Sequence, residues 1–142
     1  KNTELPEKQI LIKKIDNRNP IEYHQYPDKC HYILNEIVYG LNGSKGLMNS
    51  HWTEIKKLKQ KYCIMFLSVN PKKWNGKVNF CFTRYSSVLM DPVNLASTTK
   101  KIVDALVSCK IIDGDTPDLI CEIPHQEKCK RKEQRFEFII SQ

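Results

Sequence analysis

The stretch DPVNLASTTKKIVDALVSCKIIDGDTPD, Asp91 to Asp118, is the most informative run in this 142-residue chain. Pro92 keeps the residue before it extended, and Asn94 is a good helix N-cap. Leu95, Thr99, Ile102, Val103 and Leu106 recur at helical spacing, which predicts a helix ending near Cys109 with one apolar face. Lys100 and Asp104 lie one turn apart on its other face and can pair at i,i+4. Asp113-Gly114-Asp115 and Pro117-Asp118 read as turns. On the upstream side, Lys77 to Tyr85 alternates, with Val78, Phe80 and Phe82 against Asn79, Cys81 and Thr83, the mark of a strand. Leu119 to Ile123 follows the turns as another. A helix between two strands is the unit from which mixed α and β domains are assembled.

The same reading extends outward. His31 to Tyr39 alternates, Ile33, Ile37 and Tyr39 on one side and Leu34, Glu36 and Val38 on the other, and predicts a strand. Gly40 to Gly46 is a loop. Ser50 can cap a helix running to about Phe66, with Glu54 in its first turn complementing the dipole. Trp52, Ile55, Leu58, Tyr62 and Met65 form its expected buried stripe. Asn70-Pro71 ends that helix, and Trp74-Asn75-Gly76 reads as a turn. Arg135 to Ile140 is a last strand, joined to Leu119–Ile123 by a basic loop. Residues 1–30, polar apart from Ile10-Leu11-Ile12, read as an arm or irregular lead-in, and residues 31–142 as the domain proper. The expected architecture is α/β (α+β), a small mixed sheet with two main helices in a single compact domain.

Composition narrows the function classes. Apolar residues make up 40% of the chain, and no apolar run approaches the roughly 20 residues that cross a bilayer. Lys1 to Pro20 has no signal-peptide core, so a cytoplasmic setting is expected. The six cysteines are spread without a C-x-x-C pair, which argues against a zinc site and for reduced thiols. Cys30-His31 with His24 is the one local cluster of metal-ligand types.

The net charge of +7 is unevenly placed. His51 to Tyr85 holds eight basic residues (Lys56, Lys57, Lys59, Lys61, Lys72, Lys73, Lys77 and Arg84) against one acid, Glu54. Pro124 to Arg135 adds five basic residues against two acids, whereas Asp91 to Asp118 holds five aspartates against three lysines. A basic body suits a polyanionic partner, because neutralising phosphates releases counterions. Lysine-rich solvated faces have the same composition. Carboxylates repel nucleic acid, so an aspartate patch inside a basic protein suggests bound cations.

Metal-dependent nucleases need two or more carboxylates within a few ångströms of each other. Asp91 precedes the expected helix, and Asp113 and Asp115 lie beyond its far end. A helix of about 15 residues is roughly 22 Å long. These groups can meet only if the fold returns the chain. From spacing alone they read as turn aspartates and a helix cap.

Asp91-Pro92-Val93-Asn94-Leu95, then Lys100, Asp104-Ala105-Leu106 and Ile111-Ile112-Asp113-Gly114-Asp115, resembles the signature of the RusA family of Holliday-junction resolvases. That signature runs Asp-x-Asp-Asn-Leu, a helix lysine, Asp-(Ala/Gly)-Leu, and an apolar pair before Asp-Asp. Asn49-Ser50-His51-Trp52 and the lysine-rich helix after it resemble the family's Asn…His-Trp segment, and the likeness covers roughly Ile33 to Ile140. The resemblance implies an endodeoxyribonuclease, dependent on Mg²⁺ or Mn²⁺, that resolves four-way junctions as a homodimer. It implies Asp91, Asp115 and Lys100 as catalytic residues, and Asp91, Asp113 and Asp115 as metal ligands converging in one cleft. Asn94, Asp104 and Asp118 take supporting places. Lys56, Lys57 and Lys59, with Lys128, Lys130, Arg131 and Lys132, are the expected DNA contacts. Val93 stands where the family carries its second catalytic aspartate. Either the remaining aspartates hold the ions without it, or the chain binds junctions without cutting them. A phosphoesterase acting on small phosphates fits less well, since a small substrate needs only a local charged pocket.

Overall fold

A computed structural model describes residues 18–40 and 52–142. Ser50, His51 and Asn49, the loop from Leu41 to Gly46, and the apolar run Ile10 to Ile12 lie outside the described residues. Five strands form one mixed sheet: β1 (Ile21–Gln25), β2 (Lys29–Leu34), β3 (Val78–Ser86), β4 (Ile120–Lys128) and β5 (Arg135–Ser141). Their spatial order is β1-β2-β5-β3-β4. All neighbours are antiparallel except β3 and β4, which are parallel. Between β2 and β3 runs α1 (Trp52–Ser68). Between β3 and β4 run a short α2 (Pro92–Ser97) and α3 (Lys100–Ser108). The mixed sheet with two main helices is the architecture expected from the pattern.

Alternation along the strands sends Cys30, Tyr32, Leu34, Val78, Phe80, Phe82, Phe136, Phe138 and Ile140 to one face, all buried. The helices cover that face with Tyr62, Met65 and Phe66 from α1 and Ile102, Val103, Ala105 and Leu106 from α3. Phe138 is the hub. Its ring stacks on Tyr32 at 4.5 Å and on Phe80 at 4.8 Å, and meets Phe66 edge-on at 5.9 Å.

Several expectations are corrected. The boundary at residue 30 cuts a hairpin, since Ile21–Gln25 pairs in register with Cys30–Leu34. Ile21 and Tyr23 are the only apolar pattern in β1, too little to mark a strand without its partner. The strand expected over His31–Tyr39 stops at Leu34. There Asn35 turns back, its main-chain N–H donating to the Pro20 carbonyl (3.0 Å) and its side-chain amide to Glu22 Oε2 (2.9 Å). Glu36 points inward, accepting from Lys61 Nζ and from the Tyr62 hydroxyl, both at 2.6 Å. Trp52, expected in the buried stripe of its helix, is 72% exposed.

The single helix expected from Asn94 to Cys109 is two. Asp91, not Asn94, is the cap: its Oδ1 accepts from the Asn94 N–H at 2.8 Å. The break falls at Thr98 and Thr99. The Thr98 hydroxyl donates to the Leu95 carbonyl (2.7 Å), and such back-bonding often bends helices. Finally, β4 and β5 are not hairpin partners. Their basic connection crosses the end of β3, where the Cys129 N–H donates to the Ser86 carbonyl and Gln134 Oε1 accepts from the Ser86 hydroxyl.

Candidate functional site

The crossover from β3 to β4 decides which of the singled-out residues meet. At the end of α3, Lys110 adopts φ +63° and the chain reverses. Ile111 and Ile112 bury themselves, and the Ile111 carbonyl accepts from the Trp74 N–H at 2.8 Å. From there the chain runs back along α3 into β4, antiparallel to the segment it has just left. Side chains of β4 therefore pass Thr99 first and Met90 later: Glu122 Oε1 accepts from the Thr99 hydroxyl at 2.6 Å, and Gln126 bonds to Met90.

This reversal creates a cavity of about 250 Å³ lined by Ala96, Ser97, Thr99, Lys100, Val103, Asp104, Asp115 and Glu122. Lys100 opens α3, and Asp104 follows one turn later on the same face. Asp115 comes from the turn after α3 and Glu122 from the strand beyond. The cavity thus unites a lysine with three carboxylates drawn from three segments. Among the described residues no ion pair joins Lys100 to any of them.

The other expected site residues are placed elsewhere. Asp91, exposed at the start of α2, caps that helix and does not line the cavity. Asp113 Oδ2 accepts from the Gly76 N–H at 2.7 Å and ties the turn to the loop before β3. Asp118 accepts from the Thr116 hydroxyl at 2.5 Å, a bond that holds its carboxyl below the usual range. The expected cleft uniting Asp91, Asp113 and Asp115 is therefore not what this arrangement provides: of the three, only Asp115 lines the cavity. Asn94 sits where the backbone of Gly40 presses against it. A Cβ at Gly40 would collide with Asn94 Oδ1, so close approach requires the glycine. Val93 is 77% exposed.

Next to Lys100, Lys101 faces the other way. It is buried near Glu36 and Lys61, and burial pushes its ammonium pKa down while the Glu36 carboxylate opposes the shift. Only Lys100 of the pair serves the cavity. The expected DNA contacts Lys56 and Lys57 are exposed on α1, with Lys59 half-buried. Lys128, the last residue of β4, and Lys130, Arg131 and Lys132 on the connection over β3 are exposed. Arg135 is instead engaged, stacked 3.7 Å from the Tyr85 ring centroid and bonded to Glu137. His24 and His31 sit opposite each other on β1 and β2, while Cys30 points to the other face and accepts from the Tyr23 hydroxyl at 3.1 Å. That cluster does not converge.

Glu122 was not singled out from the sequence. In Leu119–Ile123 it shares the parity of the buried Ile120, although Glu122 itself is exposed. Carboxylate oxygens are the donors Mg²⁺ prefers, and that ion commonly takes one or two while water and substrate phosphate complete its shell. Asp104 and Asp115 are carboxylates lining the cavity. Among the described residues no group of three or more His, Cys, Asp or Glu is placed to hold a metal ion.

No family model matches the chain, and no curated protein matches it. Among solved structures, it is similar to the periplasmic domain of Helicobacter pylori MotB (residues 90–256), at 9% identity over 91% of this chain and 84% of that one. The TM-score is 0.38, and a likeness that weak carries no argument. No helix among the described residues is long and apolar enough to cross a membrane.

Proposed function

We propose that the chain is a metal-dependent endodeoxyribonuclease of the RusA type that acts on four-way DNA junctions as a homodimer. One observation carries the reading. Lys100 and Asp104, one turn apart on α3, line a single cavity with Asp115, which comes from the turn beyond the far end of that helix. In this reading Asp115 and Asp104 would hold Mg²⁺, which when bound lowers the pKa of water and stabilises charge on phosphate oxygens. Lys100 places an ammonium where negative charge grows on the scissile phosphate. Lys56 and Lys57, with Lys128, Lys130, Arg131 and Lys132, bind flanking phosphates and set the orientation of the duplex arms. A two-fold junction cut on two strands of like polarity calls for two identical sites, which a symmetric dimer supplies.

A second reading is favoured by Val93 and Asp91. With no carboxylate at Val93 and the Asp91 side chain used as a cap, the chain could bind junctions without cutting them. A synthetic four-way junction, incubated with the protein with and without Mg²⁺ or Mn²⁺, separates the two. Paired, metal-dependent nicks are the expected outcome. Binding without cleavage under either metal would leave only the second reading.

A further inference from the structure

As an edge strand, β4 pairs with β3 alone. On the parity where β3 buries Phe80, Phe82 and Arg84, β4 places Glu122, Pro124 and Gln126 opposite them. Two of these three are polar, and both reach the segment that leads into the cavity. Gln126 meets the two main-chain groups of one residue: Oε1 accepts from the Met90 N–H at 3.0 Å, and Nε2 donates to the Met90 carbonyl at 2.8 Å. Glu122 Oε1 accepts from the Thr99 hydroxyl at 2.6 Å. Met90 immediately precedes Asp91, and Thr99 immediately precedes Lys100. The segment is thus pinned at both ends by one strand.

That segment needs pinning. Its helix α2 has six residues and a single buried side chain, Leu95. One helix turn or two, with one apolar anchor, is too short to persist on its own. Thr98 and Thr99 interrupt the helix between α2 and α3, although both keep right-handed helical dihedrals. We propose that Gln126 and Glu122 are positioning residues that fix the start and the end of this segment, and so help to set where Lys100, at the start of α3, stands relative to Asp115 across the cavity. The proposal rests on the nuclease reading for its functional consequence, but the clamp itself is a separate physical property.

Both are measured on the full chain. Hydrogen exchange of the amides from Met90 to Thr99 reads the clamp, and cleavage of a four-way junction over a range of Mg²⁺ concentrations reads its consequence. Glu122→Ala, which removes one hydrogen bond, should speed exchange in this segment about tenfold, and Gln126→Ala, which removes two, by more than that, with β2, β3 and β5 unchanged. Each should lower kcat about tenfold or more, since small misplacements of reacting groups are costly, while metal-free junction affinity holds. Glu122→Gln keeps the acceptor for Thr99 and should restore both protection and rate. Thr99→Val removes the same bond from the other side. It should match Glu122→Ala without adding to it, and it serves if Glu122→Ala does not fold. Unchanged exchange in Gln126→Ala and Thr99→Val would overturn the clamp. Normal exchange with slow cleavage in Glu122→Gln would overturn it too, by assigning Glu122 a direct role through its charge. A wild-type chain that cuts no junction at any Mg²⁺ concentration would remove the nuclease reading, and the exchange measurements would still decide the clamp.

Discussion

The centre of the sheet and its β4 edge are held by different physics. At the centre, β2, β5 and β3 bring Tyr32, Phe138 and Phe80 into one aromatic stack capped by Phe66, all at or below 1% exposure. Burying each such ring contributes roughly 1.5–3 kcal/mol. At the edge, Ile120 is the one buried residue of β4, and the neighbouring crossover is tied down by side-chain hydrogen bonds from Asp113, Glu122 and Gln126. Each of those is worth about 1 kcal/mol net. The centre supplies stability and little chemistry. The edge supplies Asp115 and Glu122 on segments held by a few directional bonds, while Lys100 and Asp104 ride on α3, which the core anchors through Ile102, Val103, Ala105 and Leu106.

The comparison breaks most visibly at Phe138. Phe138→Ala should cost about 3–5 kcal/mol, by loss of burial and creation of a cavity, measured by urea unfolding. A loss below about 1 kcal/mol would mean that the stack is not the scaffold. Asp115→Asn should behave in the opposite way. Stability should change by less than about 0.5 kcal/mol at so exposed a position, while junction cleavage falls about 100-fold or more if a metal ligand is lost. Metal-free affinity should hold or rise, since one carboxylate no longer repels phosphate. Unchanged cleavage would make Asp115 a turn residue only.

A smaller effect sharpens the edge further. Asp91→Ala should cost about 1 kcal/mol, the worth of a helix cap, while Asp91→Asn keeps an acceptor and should melt like the wild type. Because Asp91 lies off the cavity, Asp91→Asn should slow cleavage less than Asp115→Asn does. Equal losses in kinetic assays would return Asp91 to the group of cavity carboxylates. The smallest expected stability change is that of Val93→Asp. An exposed position in the first turn of α2 should gain a few tenths of a kcal/mol from the helix dipole. Cleavage at limiting Mg²⁺ should stay unchanged, because Val93 does not line the cavity, and a raised rate would show that a carboxylate at this position reaches the metal.

Much of this molecule is written locally. Alternation in Val78–Phe82, Phe136–Ile140 and Tyr32–Leu34 and the stripe Ile102, Val103 and Leu106 report burial directly, because a strand or helix face is set by the chain's own period. The segment order, the two main helices and the mixed sheet follow from that. Of the residues that the spacing singles out, Lys100, Asp104 and Asp115 line one cavity, while Asp91 and Asp113 do not. The sequence did not determine which acids would stand together. The chain reversal at Lys110, the Thr98–Thr99 break and the parallel return of β4 beside β3 are long-range events. They sent Asp91 to a helix cap and Asp113 to Gly76, and they brought in Glu122 from a strand that had been read only for its apolar residues. Whether a carboxylate is a cap, a fastener or part of a cavity depends on which N–H or hydroxyl lies within about 3 Å of it. Only the folded chain decides that, since the partners come from segments far apart in sequence.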